Sequence, residues 1–186
     1  MVGALLVERG AHAADAIDVA SWPFCLVYLH TQTCACGGEW TAGDHRLKGL
    51  LEVHEATCES CGSERQFWFD LSRVLTDPWG HDRFEQMREL FSEGLDALES
   101  QDAGLAIERL GEVAAREPWF GLAWLHLGMA RMLDDDPDRA RVALERAVGL
   151  LPMDGRVRRS LAGCYTLLGL DARAQREDEL ADLLDD

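Results

Sequence analysis

Four of the six cysteines stand in two close pairs, and paired thiolates at such spacing are typical metal ligands. The first pair is Cys34 and Cys36, in the segment CACGG, and the second pair is Cys58 and Cys61, in the segment CESCG. The glycines after each pair permit the turn that directs two sulfur atoms to one spot, and they leave backbone amides free to face sulfur. Each pair therefore predicts a knuckle that presents two thiolates side by side.

The residues between and after the knuckles favour β structure. Residues 49–57 alternate partly in polarity, and residues 66–71 have the aromatic content of a strand. The order of knuckle, strand, knuckle and strand over residues 31–75 resembles a zinc ribbon. The CxxCG knuckle fits that family closely, whereas CxC is a less common variant.

The zinc-ribbon resemblance implies a bound Zn²⁺ and assigns its ligands. Carried over residue by residue, they are Cys34, Cys36, Cys58 and Cys61. Four protein ligands close a tetrahedral site and leave no position for water or substrate, so the expected zinc is structural.

Other interpretations of the cysteines stay open at this point. The four thiolates could bind iron, as in rubredoxin-like sites, or be unrelated free thiols. The redox-regulated heat-shock holdase also joins a CxC to a CxxC through zinc, which suggests a redox switch. His54 could replace one cysteine, although we expect it to face solvent from a strand. We expect Cys25 and Cys164 to be buried as small apolar residues.

A second pattern begins at residue 87, where a 34-residue period appears. Its units are residues 87–120, 121–154 and 155–186, and they resemble tetratricopeptide repeats. The middle unit carries the pattern most fully, with Trp124, Leu127, Gly128, Ala130, Ala140, Ala147 and Pro152. The resemblance implies three helical hairpins, with small residues where the two helices of a hairpin cross.

The predicted organisation is therefore an α+β chain with a small β zinc ribbon followed by an all-α repeat solenoid. An apolar segment, residues 1–30, precedes the ribbon, and a linker, residues 76–83, precedes the repeats, whose region spans residues 84–186. We expect the charged last helix to face solvent as a cap, and the ribbon to cover the first repeat helix in one rigid body.

The tetratricopeptide resemblance also implies a concave groove lined by the first helix of each repeat. The residues that we select as partner-binding are Arg88, Phe91, Leu95, Leu98, Leu122, Leu125, Met129, Met132, Arg156 and Arg159. The same rule adds Glu99, Leu133, Gly163, Thr166 and Leu167. An apolar groove with methionines suits an apolar or amphipathic segment of a partner protein. The chain could instead fill the groove with its own N-terminal segment, residues 1–30, through the apolar side chains of residues 22–29. The groove could also be buried against the ribbon, or form a homodimer interface with a second copy.

The charge balance weighs against anionic partners. The chain of 186 residues carries 34 acidic and 18 basic side chains, for a formal net charge of -16. The acidity is spread over residues 1–82 and 83–186, so no acidic tail explains it. Nucleic acid and anionic membranes are therefore disfavoured, and only a local patch of His45, Arg46 and Lys48 could counter the repulsion.

These patterns predict a protein-interaction adaptor and no enzyme, because the sequence contains no catalytic constellation. The alternatives are a redox-responsive zinc-thiolate chaperone or sensor and a nucleic-acid-associated ribbon factor. Charged residues interrupt any apolar leader near the N-terminus, so we expect a cytoplasmic location. Lys48 is the single lysine, and this arginine bias is typical of GC-rich bacterial genomes.

Overall fold

Strand-forming and helix-forming residues separate along the chain, and the fold follows that separation. The computed structural model describes residues 10–19, 22–76 and 80–185. The chain divides into two compact units, residues 1–84 and residues 85–186. Strands occur in the first unit and repeat helices in the second, which confirms a mixed fold of helix and sheet.

A four-stranded sheet forms the first unit's framework within the described residues. Its strands are β1 (Ile17–Asp18), β2 (Trp40–Lys48), β3 (Leu51–Cys58) and β4 (Glu64–Asp70). The spatial order is β1-β4-β3-β2, with β1 parallel to β4 and the other pairs antiparallel. Ile17 pairs with Phe69, so the first strand joins the sheet beside the last.

A helix covers the aromatic face of this sheet. The helix is α1 (Pro23–Thr31), and it buries Phe24, Cys25, Tyr28 and Leu29. The Tyr28 ring meets Phe67 and Phe69 edge-on, with centroid distances of 6.5 and 5.8 Å. The described part of the predicted separate segment, residues 1–30, is thus part of the first unit's core. Residues 1–9, 20 and 21 lie outside the described residues.

Two strands, β1 and β2, were not expected from the sequence. In β2 the pairing with β3 is irregular between Ala42 and His45. The bulge shifts the register, so side-chain alternation does not run continuously along residues 40–48. The pattern from which a strand is recognised in a sequence is therefore missing.

Six helices of the described chain follow the repeat period. They are α3 (Gly80–Glu99), α4 (Ala103–Arg116), α5 (Gly121–Leu133), α6 (Pro137–Leu150), α7 (Gly155–Leu167) and α8 (Asp171–Asp185). The first residues of α4, α6 and α8 are 34 positions apart, as are those of α5 and α7. The structure therefore confirms the period and the helical hairpins.

Small residues let the helices of each hairpin approach closely, as predicted. A Cβ atom added at Gly94 would lie 2.6 Å from Leu110 Cγ, and one added at Gly128 would lie 2.5 Å from Leu144 Cγ. The equivalent residue of the third repeat is Ala162, which is 1% exposed. Leu110 and Leu144 are fully buried, because these close approaches leave them no access to water.

The two ends of the repeat region behave differently. The first repeat helix, α3, begins at Gly80, inside the predicted linker, and a short helix, α2 (Ser72–Thr76), precedes it. Asp82 in the first turn suits the positive end of a helix, so the early start has a physical reason. At the other end Asp178 of α8 is exposed, in agreement with the expected solvent-facing cap. Among the described helices, none combines the length and apolar character needed to cross a membrane.

Candidate metal centre and repeat surface

Both cysteine pairs lie in tight turns closed by backbone hydrogen bonds. In the first knuckle the Gly37 amide donates to the Cys34 carbonyl at 2.9 Å, and in the second the Gly62 amide donates to the Cys58 carbonyl at 2.9 Å. Gly37 and Gly62 have φ angles of 82° and 72°, in the left-handed region that favours glycine. The glycines therefore have the turn role that their positions suggested.

The four thiols converge although they come from two separate turns. Their sulfur atoms all lie within 4.8 Å of one another. Cys34 Sγ is 3.8 Å from Cys61 Sγ, and Cys36 Sγ is 3.5 Å from Cys58 Sγ. These separations are much longer than a disulfide bond of about 2.05 Å.

The separations match those of sulfur ligands around one tetrahedral ion. With zinc–sulfur bonds of about 2.3 Å, two sulfurs of a tetrahedron lie about 3.8 Å apart. Position 38 requires glycine for steric reasons, because a Cβ atom there would lie 2.7 Å from Cys58 Sγ. The donor set and its spacing therefore fit a zinc ion or another metal that accepts four thiolates.

The sulfur cluster has a buried side and an exposed side. Cys34 and Cys58 are buried, whereas Cys36 and Cys61 are exposed. Without a metal, burial raises the pKa of Cys34 to about 12. Hydrogen bonding with the Ser63 hydroxyl, whose oxygen is 3.1 Å from the sulfur, lowers the pKa of Cys61 to about 6. The exposed Cys61 thiol therefore ionises more readily than the buried Cys34 thiol.

Two other cysteine-related expectations have different outcomes. Cys25 and Cys164 are fully buried, as expected. The expectation for His54 is wrong, because this residue is 5% exposed and lies on the sheet face beside Phe69. Strand rise also separates His54 from Cys58 by about 13 Å over four residues, too far to share an ion.

The small basic patch on the first unit is occupied by internal contacts. Arg46 forms an ion pair with Glu55 at 2.5 Å, and the Lys48 ammonium lies 4.8 Å from the centroid of the Trp68 ring. A phosphate group would have to displace these contacts to bind either cation.

The residues selected for the groove differ in accessibility. Leu125 is only 6% exposed and belongs to a core cluster with Leu144, so its assignment to a partner surface is corrected. Leu122 and Met132 pack partly against the same cluster. Met129 is 39% exposed and keeps an accessible surface. One selected residue is therefore buried and two others are partly covered by neighbouring helices.

The first repeat contributes half-buried groove residues. Leu95 and Leu98 are half-buried on α3. The Phe91 ring contacts Phe120 and His126, with centroid distances of 5.0 and 5.6 Å. Phe91 therefore supports the packing of α3 against the start of the second repeat.

The selected arginines already have carboxylate neighbours. Arg156 makes two hydrogen bonds to Asp154, at 3.0 and 2.7 Å. Arg159 lies 3.2 Å from a carboxylate oxygen of Asp182. Arg88 similarly pairs with a glutamate of its own helix, at 2.6 Å. An acidic partner residue would have to compete with these internal ion pairs.

Comparison with known proteins gives structural matches. No protein-family model and no curated protein sequence matches the chain. The solved structure "MamA MSR-1 C2" is similar with a TM-score of 0.51 and 26% identity, covering 60% of this chain and 70% of that chain. "MamA AMB-1 P212121" gives a TM-score of 0.52 and 28% identity, covering 56% and 62%.

A secretion chaperone is also similar. It is the Yersinia enterocolitica type III secretion chaperone SycD in complex with a peptide of the translocator YopD. The TM-score is 0.52 at 19% identity, with 54% of this chain and 76% of that chain covered. These proteins are helical-repeat proteins of the tetratricopeptide type, and the chain accordingly contains a domain of that type.

Proposed function

We propose that this chain is a non-catalytic adaptor whose repeat region binds a segment of a partner protein and whose four-cysteine site holds a structural zinc ion. The observation that carries the proposal is an accessible apolar surface on the first helices of two successive repeats. Met129 and Leu133 on α5 are 39% and 44% exposed, and Leu167 on α7 is 64% exposed. Because α5 contacts α7, these side chains belong to neighbouring helices. We call them the apolar strip.

The surroundings of the apolar strip indicate the chemistry of its partner. Gly163 of α7 has open space where a side chain would project, so an entering residue meets no obstruction there. Asp134 and Asp135 follow Leu133 and are exposed. The partner segment is therefore amphipathic, with apolar residues for the strip and a basic residue for the acidic end of α5. Complexes of similar proteins support a protein partner, since SycD forms a complex with a YopD peptide and CopN forms one with Scc3.

The zinc ion has a structural role in this proposal. Cys34, Cys36, Cys58 and Cys61 would hold it, and four thiolate ligands leave no open coordination position for catalysis. Bound zinc would join two turns that are separated by the β2–β3 hairpin. Loss of the ion should therefore destabilise the first unit without removing any chemical step.

The test uses exposed positions, because substitution of Phe91 or Leu125 would also damage packing. The double variant Met129→Asp, Leu167→Asp places charges on the apolar strip. Its matched control is Val142→Asp on α6, a residue that is 56% exposed on the second helix of its repeat. Tagged proteins are used to recover partners from native host extract, with quantitative mass spectrometry and cross-linking to locate the contact.

The adaptor proposal predicts that the strip variant loses its partner while Val142→Asp retains it. Cross-links should fall on α5 and α7. Equal partner recovery by the strip variant and the wild type would contradict the proposal. If the mass in solution doubles with concentration in the wild type but not in the strip variant, the apolar strip is a homodimer interface instead.

A redox-responsive role is the second candidate, and it is favoured by the exposure of Cys36 and Cys61. Hydrogen peroxide would oxidise two thiolates to a disulfide, with the peroxide reduced to water and the metal released. Mild peroxide should then release zinc and expose apolar surface to a fluorescent dye, and dithiothreitol should reverse both changes. Retention of zinc at peroxide levels that oxidise an exposed cysteine in a reference protein would exclude this role.

A further inference from the structure

A second group of metal-ligand side chains lies in the first unit, between α1 and the sheet. It consists of Cys25 on α1, Glu52 and His54 on β3, and His45 on β2, and we call it the helix–sheet cluster. Cys25, Glu52 and His54 are 0%, 2% and 5% exposed. Glu52 and His54 are two residues apart on one strand, so they point to the same face of the sheet.

The distances within the helix–sheet cluster suit coordination of one ion. Cys25 Sγ lies 3.6 Å from one carboxylate oxygen of Glu52, and His54 Nε2 lies 3.4 Å from the other. Suitable ligand atoms of these three residues all lie within 4.8 Å of one another. Ligand atoms of tetrahedral zinc lie about 3.4–3.6 Å apart, and the 4.8 Å limit that these side chains meet with one atom each leaves only a small adjustment.

The buried Glu52 carboxylate of the helix–sheet cluster has no lysine or arginine beside it among the described residues. Glu52 is almost fully buried, and within the described residues its ion-pair neighbours are His45 and His54. His54 Nε2 is buried and has no hydrogen-bond partner among the described atoms. A buried polar atom without a partner and a buried carboxylate without a cation both cost free energy. A single divalent ion would satisfy both groups.

A nucleophilic-enzyme interpretation does not fit the same geometry. In a cysteine–histidine enzyme the histidine contacts the thiol and a carboxylate orients the histidine. Here the carboxylate lies between the other two groups, and the Cys25 thiol contacts Glu52. The thiol is also fully buried, so a substrate would not reach it.

We propose that the helix–sheet cluster is a second metal site, taking zinc or a similar borderline divalent ion through Cys25, Glu52, His54 and His45. The His45 ring stacks on His54 with a centroid distance of 5.2 Å, and its Nε2 is 3.9 Å from the nearer Glu52 oxygen. The His45 side chain is 64% exposed, so its ring can turn and the ion can enter on that side. A thiolate and a carboxylate balance the charge of a divalent ion.

This site is separate from the four-cysteine site in both position and chemistry. One ligand set is sulfur alone, and the other mixes sulfur, nitrogen and oxygen. The ion would join α1 to β2 and β3, whereas the four-cysteine site joins two turns. The inference does not depend on the proposed adaptor function.

The experiment counts Zn²⁺ bound to the full chain by native mass spectrometry, after removal of metal under reducing conditions and titration with zinc. The wild type should bind two ions. Cys25→Ala should bind one, and His45→Gln should bind the second ion at least about tenfold more weakly. The matched controls are Cys164→Ala, a buried cysteine outside both groups, and His30→Gln, an exposed histidine of α1; both should still bind two ions.

A complementary variant separates the two sites. Cys36→Ser with Cys61→Ser should remove one ion and leave the one in the helix–sheet cluster. Far-UV circular dichroism checks that each variant is folded. Binding of two ions by folded Cys25→Ala, or of a single wild-type ion that is kept in Cys25→Ala and lost in Cys36→Ser with Cys61→Ser, would overturn the proposal. Unchanged affinity in His45→Gln would overturn the assignment of the fourth ligand.

Discussion

Replacing Gly128 by alanine should destabilise the repeat region, although alanine is the better helix former. The new Cβ atom would lie 2.5 Å from Leu144 Cγ and 2.7 Å from Leu144 Cδ2. Carbon atoms in contact normally lie about 3.5–4.0 Å apart, so the neighbour must move by about 1 Å. Leu144 is fully buried, and the clash involves its branch carbon rather than a free end.

The magnitude follows from two opposing effects. Overpacking of a core typically costs about 1–3 kcal/mol, whereas glycine to alanine within a helix gains up to about 1 kcal/mol. We expect a net loss of about 1–2 kcal/mol in the free energy of unfolding. For a region of this size that loss corresponds to a decrease of roughly 4–16 °C in Tm.

The assay is urea denaturation followed by far-UV circular dichroism, with Gly163→Ala as the matched control. Gly163 lies within α7, and a Cβ atom there would meet nothing within 4 Å. Alanine at this position should therefore stabilise the chain by about 0.5–1 kcal/mol. The two glycine substitutions should have opposite signs.

A double variant provides the stricter test. Leu144→Ala removes the side chain that an alanine at position 128 would strike, so Gly128→Ala should cost less in that background by at least about 0.5 kcal/mol. If Gly128→Ala is as stable as the wild type, or if its cost is unchanged when Leu144 is shortened, the steric reasoning is wrong.

Further predictions concern an ion pair, a histidine and a knuckle glycine. Arg158 and Glu177 are 8% and 17% exposed and lie 2.8 Å apart. Glu177→Gln should lower the free energy of unfolding, measured by urea denaturation, by about 3 kcal/mol, because a largely buried cation loses its carboxylate. A loss below about 0.5 kcal/mol would refute this. Burial lowers the pKa of His126 below its ordinary 6.5 in the folded chain. As the pH falls through about 6.5, this histidine is therefore protonated in the unfolded chain before it is protonated in the folded chain, and the folded state loses stability. Denaturation at about pH 7.5 and about pH 5.5 should show a smaller pH dependence in His126→Gln, and an unchanged dependence would count against the histidine. Gly38→Ala should weaken Co²⁺ binding at the four-cysteine site at least about tenfold in a chelator competition, because its Cβ would lie 2.7 Å from Cys58 Sγ; wild-type affinity would show that the knuckle adjusts.

Local patterns in the sequence were enough to predict the knuckles and the repeat helices. The turn at Gly37 depends on its neighbours in the chain, and the contact of Gly128 with Leu144 repeats at a fixed interval. Such features combine residue type with short or periodic spacing, and both can be recognised without coordinates.

Features that depend on distant pairing could not be predicted in the same way. Cys25 and Glu52 are 27 residues apart and meet only because α1 lies on the sheet. The spacing of Glu52 and His54, two residues apart on one strand, indicates that both lie on the same face of the sheet. No residue near them in the sequence indicated that this face would be buried. Leu125 shows the related limit, since a position in the repeat predicts a direction and not the depth of the neighbouring core.

The pairing of β1 with β4 has a consequence for the order of events during synthesis. The β2–β3 hairpin and both knuckles are complete once residue 62 has left the ribosome, so this part can fold early and bring the four thiols together. Ile17, in contrast, has no partner until Phe69 emerges, and the apolar side of α1 also waits for Phe67 and Phe69. The nascent chain therefore exposes its N-terminal apolar residues while the hairpin is already formed. Chaperone capture should be strongest in that interval and should end when β4 has been released.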